Sequence, residues 1–118
     1  MPRSCAFCAA IAGYINHGFA ISKYTGHGGK SGASEASPEM MAKLCAIFDE
    51  AGTIYHFAEL GRVDAGGGGT VSQFIADKNI EVVDIGIPML SMHAPYELAA
   101  KADIYLLHIA MKAFYEKY

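Results

Sequence analysis

SPEMMAKLCAIFDEAGTIYHFA, residues 37–58, predicts a helix followed directly by a strand. The hydroxyl of Ser37 can cap a helix, and Pro38 suits the first helical position. Apolar side chains then recur at helical spacing until Gly52 ends the helix. The branched and aromatic side chains of residues 53–58 are typical of a strand. A helix that leads straight into a strand indicates an α/β fold.

The same alternation continues on both sides of this stretch. Residues 19–24 predict a strand, 71–78 a short helix, 80–87 a strand buried on both faces, and 94–118 a long amphipathic helix. We therefore expect one α/β domain over residues 1–118: a partial three-layer α/β/α sandwich with a mostly parallel sheet and a long C-terminal helix. Three or four strands leave sheet edges that need covering or pairing, which indicates part of something larger.

Composition excludes several classes of protein. The chain has 118 residues, of which 53% are hydrophobic, enough to form a core. A net charge of −3 favours neither nucleic acid nor an acidic membrane surface as a partner, and no apolar run reaches the ~18 residues of a membrane span. Three cysteines argue against a secreted disulfide framework and favour the cytoplasm. Cys5 and Cys8 resemble half of a zinc or redox motif, and we interpret them as packing residues.

The glycine-rich stretch KYTGHGGKSG, residues 23–32, raises the possibility of a phosphate-binding loop. Its Gly-Lys-Ser matches the end of that motif, but the first glycine should stand at position 24, which is Tyr24. A phosphate loop also opens a helix directly, whereas several residues separate Ser31 from Pro38. The alternative is a flexible loop between a strand and a helix. A nucleotide-binding module is therefore the last-ranked function.

Two segments follow predicted strands, at the sheet edge where open α/β folds bind ligands. The first, residues 59–70, contains Asp64, which can orient a ligand or cap a turn. Its four consecutive glycines allow close backbone approach, and Thr70 can cap the next helix. The second, residues 88–95, places His93 just before a helix. An ordinary glycine loop and a hydrogen-bonded surface histidine remain the alternatives, while His56 and His108 are interpreted as structural.

A set of short motifs makes the sequence more specific. In chain order they are Asn16-His17-Gly18, Lys23-Tyr24-Thr25-Gly26, Gly29-Lys30-Ser31-Gly32, Ser34-Glu35-Ala36, Glu59-Leu60-Gly61-Arg62-Val63-Asp64, Gly66-Gly67-Gly68-Gly69-Thr70, Val83-Asp84-Ile85-Gly86 and Leu90-Ser91-Met92-His93-Ala94-Pro95-Tyr96-Glu97. Together they resemble the C-terminal part of the catalytic domain in the aspartyl aminopeptidase / aminopeptidase I family of zinc metallopeptidases. Each motif is weak alone, but the ordered set covers about residues 13–118.

The resemblance implies a function and a metal ligand. Family members remove N-terminal residues, acidic ones among them, from peptides, and use two metal ions, usually zinc. The resemblance implies that His93 of Ser-Met-His-Ala-Pro is a metal ligand, since neutral imidazole suits zinc. The substrate pocket is implied to be lined by Lys23, Asp64, Gly67, Gly68, Gly69 and Thr70. Lys23 or Lys30 would then be available to a substrate carboxylate.

The chain also departs from the family pattern. A family enzyme needs a further His, a bridging Asp, a Glu base beside a Glu ligand, and another Asp, all of them N-terminal to the matched region. One histidine cannot hold two zinc ions, because a catalytic zinc takes about three protein ligands. We therefore expect no catalytic residue in this chain and no activity alone. It would act with the remainder of the enzyme or as a homo-oligomer; the alternative is a non-catalytic assembly or interaction module.

Overall fold

The computed structural model describes residues 12–26, 33–59 and 70–118. These residues form a mixed α/β structure with small sheets and a C-terminal helix. Its elements are β1 (Phe19–Ser22), β2 (Tyr24–Gly26), β3 (Ala33–Glu35), α1 (Pro38–Glu50), β4 (Tyr55–Phe57), α2 (Ser72–Ala76), β5 (Asp84–Gly86), β6 (Met89–Leu90), β7 (Leu98–Ala99) and α3 (Lys101–Lys117).

The strands form three small sheets. One has three strands in the order β4-β1-β5, so β1 has a neighbour on each side. The pair β2–β3 is antiparallel, with Tyr24 opposite Glu35. The pair β6–β7 is also antiparallel, with Met89 opposite Ala99 and Leu90 opposite Leu98. The sequence predicted a mostly parallel sheet and neither of these two antiparallel pairs.

The chain forms two compact units. The described residues of the first unit are Ala12 and those within Ile21–Ala36 and Phe57–Asp84. The second unit comprises Gly13–Ala20, Ser37–His56 and Ile85–Tyr118.

The core of the second unit is built on α1. The predicted N-cap is confirmed, because the Ser37 hydroxyl accepts a hydrogen bond from the Met40 N–H at 3.1 Å. One face of the helix is buried, and it includes Leu44 and Phe48, which are fully inaccessible. The Phe48 ring meets that of Phe19 edge-on, with centroids 5.2 Å apart. Burial of each such side chain contributes about 1.5–3 kcal/mol to the stability of the fold. The helix α1 also packs against α3.

A turn before β1 is held by a buried carboxylate of α3. Asp103, only 1% exposed, accepts hydrogen bonds from the N–H of Asn16 at 2.7 Å and of Gly18 at 2.8 Å. Gly18 has a φ of +86°, and a Cβ built there would lie 2.1 Å from the carbonyl oxygen of Ile54. Only glycine fits this position, because both the positive φ and the close backbone approach exclude a side chain.

In the first unit, α2 packs against β2 and β3. Backbone hydrogen bonds join Ala36 N–H to the Lys23 carbonyl at 3.0 Å and Ala58 N–H to the Ile21 carbonyl at 3.1 Å. Ala36 and Ala58 are both buried. The segments that follow β3 and β4 are thereby tied to β1 and to the residue after it.

The helix predicted from residue 94 is wrong at its start. Residues 98–99 pair with residues 89–90, so α3 begins only at Lys101. The amphipathic pattern in this segment is overridden by hydrogen bonding between residues distant in sequence.

The strand predicted over 80–87 is also too long. Only Asp84–Gly86 is a strand, and Ile80 is exposed instead of buried on both faces. Residues 77–79 form turns that end with Asn79 at a φ of +60°, which delays the start of the strand. The apolar run indicated burial but not where pairing begins.

The loop alternative predicted that the glycine-rich stretch joins a strand to a helix, and this prediction is wrong. The stretch contains β2 and is followed by β3, and Gly26 of β2 is opposite Ala33 of β3. The predicted 19–24 strand is likewise divided at Lys23 into β1 and β2. A phosphate loop must open a helix, so the strand at Ala33–Glu35 argues against one. Residues 27–32 themselves, Lys30 among them, lie outside the described residues.

Candidate functional site

Lys23 lies between β1 and β2, and its ammonium group is already paired. Its Nζ is 2.6 Å from Oε1 of Glu35, on β3. The hydrogen bond between the two side chains raises the pKa of Lys23 and lowers that of Glu35. A substrate carboxylate would therefore have to displace Glu35 before it could pair with Lys23.

Glu59 holds the same segment by its backbone. Its Oε1 accepts hydrogen bonds from the N–H of Lys23 at 3.0 Å and of Tyr24 at 3.3 Å. Burial raises the pKa of the Glu59 carboxyl, and the charge of Asp84 adds to the rise, although both N–H groups oppose it. Glu59 therefore fixes the position from which the Lys23 side chain extends.

Thr70 lies one residue before the N-cap of α2, and its hydroxyl oxygen accepts a long hydrogen bond, 3.4 Å, from the N–H of Ser72, the first residue of the helix. The N-cap is Val71, which makes no side-chain cap hydrogen bond. The Thr70 hydroxyl also donates to Oδ2 of Asp84 at 2.7 Å, and the Ser72 hydroxyl donates to the same oxygen at 3.0 Å. Both hydroxyls donate to one carboxylate oxygen, and such hydrogen bonds are charge-assisted. Thr70 and Asp84 thus anchor the end of the glycine tract.

The remaining predicted substrate residues lie outside the described residues. They are Asp64, Gly67, Gly68 and Gly69. Among the described residues of the first unit, Lys23 lies together with three acids, namely Glu35, Glu59 and Asp84. This charge distribution favours an amine or another cation over an anion.

His93 belongs to the second unit, at the tip of the β6–β7 hairpin. Its backbone has a φ of +68°, and that of Ser91 is +60°. The turn is closed by the Ala94 N–H donating to the Ser91 carbonyl at 2.9 Å. The His93 N–H donates to Oε1 of Glu97 at 2.6 Å, a short charge-assisted hydrogen bond. Left-handed backbone at a non-glycine residue costs about 1–3 kcal/mol and often marks a functional position.

The His93 side chain is exposed, and its ring makes no hydrogen bond within the described part of the chain. A ring in this state can still provide a nitrogen to a metal. However, no group of three or more His, Cys, Asp or Glu side chains that could hold a metal is found within residues 12–26, 33–59 and 70–118. Cys5 and Cys8 lie outside these ranges.

His56 has the structural role that the sequence predicted. Its Nε2 accepts the Tyr14 N–H at 3.2 Å, and Nδ1 lies 3.3 Å from the carbonyl oxygen of His17. These partners assign the neutral ring with its proton on Nδ1. Both nitrogens are therefore used to hold the backbone before β1.

Comparison with known proteins identifies the family. The family model for aminopeptidase I zinc metalloproteases (M18) matches residues 9–115. The chain belongs to the M18 family of aminopeptidases. It is 44% identical over 101 residues to a probable M18 family aminopeptidase 1 from Clostridium acetobutylicum, which covers 86% of this chain and 22% of that protein. A probable M18 family aminopeptidase 1 from Borreliella afzelii is 42% identical over 87% of this chain and 22% of its own length.

Solved M18 structures share the fold. The crystal structure of an M18 aminopeptidase from Thermotoga maritima matches with a TM-score of 0.82 and 34% identity, covering 93% of this chain and 24% of that chain. Aminopeptidase I from Clostridium acetobutylicum matches with a TM-score of 0.78 and 43% identity, covering 87% of this chain and 23% of that chain. This M18 chain therefore spans about a fifth of the length of its curated relatives.

The residues of this M18 chain that the structure describes do not form a complete zinc site. Catalytic zinc takes about three protein donors, whereas among the described residues His93 has no second and third donor beside it. No catalytic step is assigned to the described residues on this basis.

Sequence reasoning missed three carboxylates that organise these segments. Glu59, Asp84 and Glu97 all occur in the family-like motifs, but no role was predicted for any of them. The Glu97 contact has a local signal, since it lies only four residues after His93. The other two contacts span 36 and 14 residues, so no local pattern could have found them.

Proposed function

We propose that this chain is the C-terminal segment of a zinc-dependent aminopeptidase that removes N-terminal residues from peptides. The observation that carries the proposal is the match of residues 9–115 to the aminopeptidase I zinc metalloprotease family. The backbone of His93 has a strained positive φ and is held by a hydrogen bond to Glu97, which supports the assignment of His93 as one metal ligand. In the complete enzyme two zinc ions occupy the site, which draws its other ligands from outside the described residues.

Substrate contacts come from the first unit. Lys23, Asp64, Gly67, Gly68, Gly69 and Thr70 form the rim of the peptide pocket. Because the Thr70 hydroxyl donates to Asp84, Thr70 contributes through its backbone groups. Because Lys23 pairs with Glu35, an acidic N-terminal residue must compete with Glu35 for the ammonium group. Neutral N-terminal residues meet no such competition.

The chain is inactive alone. The three-layer α/β/α sandwich with a mostly parallel sheet forms only when the remainder of the enzyme is present. We place this enzyme in the cytoplasm. The test is an assay of the purified 118-residue chain with aminoacyl-anilide substrates and added zinc. We expect no turnover above the rate of a His93→Ala control. Turnover that depends on His93 would show that the site is complete here, and would overturn this part of the proposal.

A second candidate is a non-catalytic assembly or interaction module derived from the family. Large exposed apolar side chains in both units favour it, with Val71 and Phe74 in the first and Tyr105 and Tyr115 in the second. Light scattering after size exclusion separates the candidates in part. A chain that stays monomeric and binds no partner would count against the module.

A further inference from the structure

The turn before β1 is held by two side chains of different chemistry. Asp103 of α3 accepts hydrogen bonds from two backbone N–H groups of the turn. His56 of β4 accepts from the Tyr14 N–H at 3.2 Å through Nε2, and its Nδ1 lies 3.3 Å from the carbonyl oxygen of His17. We name the two hydrogen bonds made by His56 the His56 anchor. All of these residues belong to the second unit.

The His56 anchor requires a neutral imidazole. Because the Tyr14 N–H is a donor, Nε2 must be a bare acceptor, and Nδ1 must carry the proton that points to the His17 carbonyl. A protonated imidazole has a hydrogen on both nitrogens and no acceptor left. Protonation therefore sets an N–H of the ring against the N–H of Tyr14, while the bond from Nδ1 to the His17 carbonyl persists.

The hydrogen bond made by the other histidine of the turn has no such sensitivity. Nδ1 of His17 lies 3.0 Å from the carbonyl oxygen of Ile15. A carbonyl oxygen can only accept, so this nitrogen donates, and it keeps its proton when the ring gains a second one. The bond is thus compatible with both charge states of the His17 ring. Of these two histidines, only His56 loses a hydrogen bond on protonation.

The ionisable groups around the His56 anchor come from the turn, from α3, from β4 itself and from α1. They are Tyr14 and His17, Asp103, the neighbouring Tyr55, and Asp49, to which the Tyr55 hydroxyl donates. The strand next to β4 in the sheet, β1, has no ionisable side chain. Of these side-chain types, only imidazole ordinarily changes charge between about pH 5 and pH 8. A response in this range therefore reports on His56 or His17.

Loss of the His56 anchor acts on one end of the turn. Asn16 and Gly18 have left-handed backbone, with φ of +65° and +86°. Both are fixed through the carboxylate of Asp103, in hydrogen bonds that contain no imidazole. Tyr14 lies before them and is 50% exposed, so water can take the place of Nε2 at its N–H. A carboxylate thus holds the end of the turn next to β1, and a ring that can titrate holds the other end.

We propose that His56 is a pH-sensitive anchor, whose protonation releases Tyr14 while Asp103 keeps the rest of the turn attached to α3. The segment that enters the turn is held at neutral pH and loosened in the acid range where imidazole gains its proton. The core around α1 does not depend on these hydrogen bonds, so the response is a local loosening and not unfolding. The inference is independent of the function proposed above, because it uses only contacts within the second unit.

The test is an NMR titration of the isotope-labelled 118-residue chain from about pH 8 to about pH 5. The ring protons of His56 report its charge, and the nitrogen–nitrogen coupling across the hydrogen bond from Tyr14 to Nε2 reports the anchor. Exchange of the Tyr14 and Gly18 amides with water is divided by the intrinsic rate at each pH to give the protection.

Two variants identify the responsible ring. In His56→Gln an amide oxygen can accept the Tyr14 N–H but does not titrate, so this is the matched variant. His17→Gln removes the other imidazole of the turn and is the control.

We expect the coupling to disappear, and the protection of the Tyr14 amide to fall about fivefold, with the midpoint of the His56 ring. The protection of the Gly18 amide should change less than about twofold, because Asp103 still accepts its hydrogen bond. His56→Gln should keep the Tyr14 protection constant with pH, and His17→Gln should leave the fall unchanged.

Four results would overturn the proposal. They are a constant Tyr14 protection while His56 titrates, a His56 ring that stays neutral down to about pH 5, a midpoint that follows His17, and a fall that persists in His56→Gln. An equal fall at Gly18 would show that the whole turn loosens, which contradicts release at one end. The coupling and the midpoints are read on the unsubstituted chain, so the test stands even where a variant fails to fold.

Discussion

Gly18→Ala should destabilise the chain far more than Gly52→Ala, although both glycines have a positive φ. The values are +86° for Gly18 and +68° for Gly52. An alanine in left-handed backbone costs about 1–2 kcal/mol, and about 0.4–1 kcal/mol of that is offset because alanine lowers the entropy of the unfolded chain. Nothing lies within 4 Å of a Cβ at Gly52, so Gly52→Ala should cost about 1 kcal/mol or less.

The surroundings of Gly18 add a second cost. A Cβ there would lie 2.1 Å from the Ile54 carbonyl oxygen and 2.6 Å from its carbonyl carbon, well inside the ~3.5 Å of normal carbon contacts. Both obstacles are backbone, so the turn itself must move. Overpacking of this kind costs about 1–3 kcal/mol, and movement of Gly18 also weakens its hydrogen bond to Asp103. Added to the net cost of about 1 kcal/mol or less for the left-handed alanine, the total for Gly18→Ala is about 2–4 kcal/mol.

The assay is urea unfolding of the two variants and the wild type, followed by circular dichroism, with the free energy of unfolding compared at equal slope. We expect the Gly18 variant to lose about 1–3 kcal/mol more than the Gly52 variant. Losses within about 0.5 kcal/mol of each other would show that backbone strain alone matters and that the Ile54 contact does not.

Three other outcomes follow from the carboxylates. Asp103→Asn keeps one acceptor oxygen but turns an amide NH₂ toward the second backbone N–H. Urea unfolding should therefore show that the free energy of unfolding falls by about 2 kcal/mol or more. Asp77→Asn, at an exposed position, is the control. Burial raises the pKa of Glu59 above 4.5, so its contribution to stability is greatest below pH 4.5 and is lost as pH rises through the raised pKa. Glu59→Gln should remove this decline in the free energy of unfolding between pH 4 and pH 7. An unchanged pH dependence in the variant would show that Glu59 does not cause the decline. Glu97→Ala should speed hydrogen exchange of the His93 amide about tenfold, because the hydrogen bond to the Glu97 carboxylate is lost. Glu97→Gln keeps an acceptor oxygen and should largely preserve protection. Equal exchange rates in the two variants would show that the side-chain acceptor has no role.

The first helix could be predicted closely because its signals are local. Ser37, Pro38 and Gly52 mark its ends through hydrogen bonds and backbone angles that involve only near neighbours in sequence. The start of α3 could not be found in the same way. The segment before Lys101 has helical periodicity, but its hydrogen bonds go to β6, and nothing in a local window records that pairing.

The candidate site shows the same limit more strongly. His93 could be singled out from its motif, but the prediction that it lies just before a helix is wrong, because β7 comes between it and α3. The functions of Glu59 and Asp84 depend on contacts across 36 and 14 residues. The pairing of Lys23 with Glu35 required knowledge that β2 and β3 are adjacent. Sequence identified the chemistry of these groups, while only the fold shows which of them neutralise each other.

The middle position of β1 in its sheet has a consequence for synthesis on the ribosome. The strand is made first, but its neighbours β4 and β5 follow only at Tyr55–Phe57 and Asp84–Gly86. At about 5–20 residues per second, β1 waits roughly 3–13 s between its own completion and that of its second neighbour. During that interval Phe19 and Ile21, both fully buried in the finished structure, are accessible on a strand with unpaired backbone groups. The nascent chain is therefore open to chaperone binding, and to association with other nascent chains, at this strand until β5 has been made.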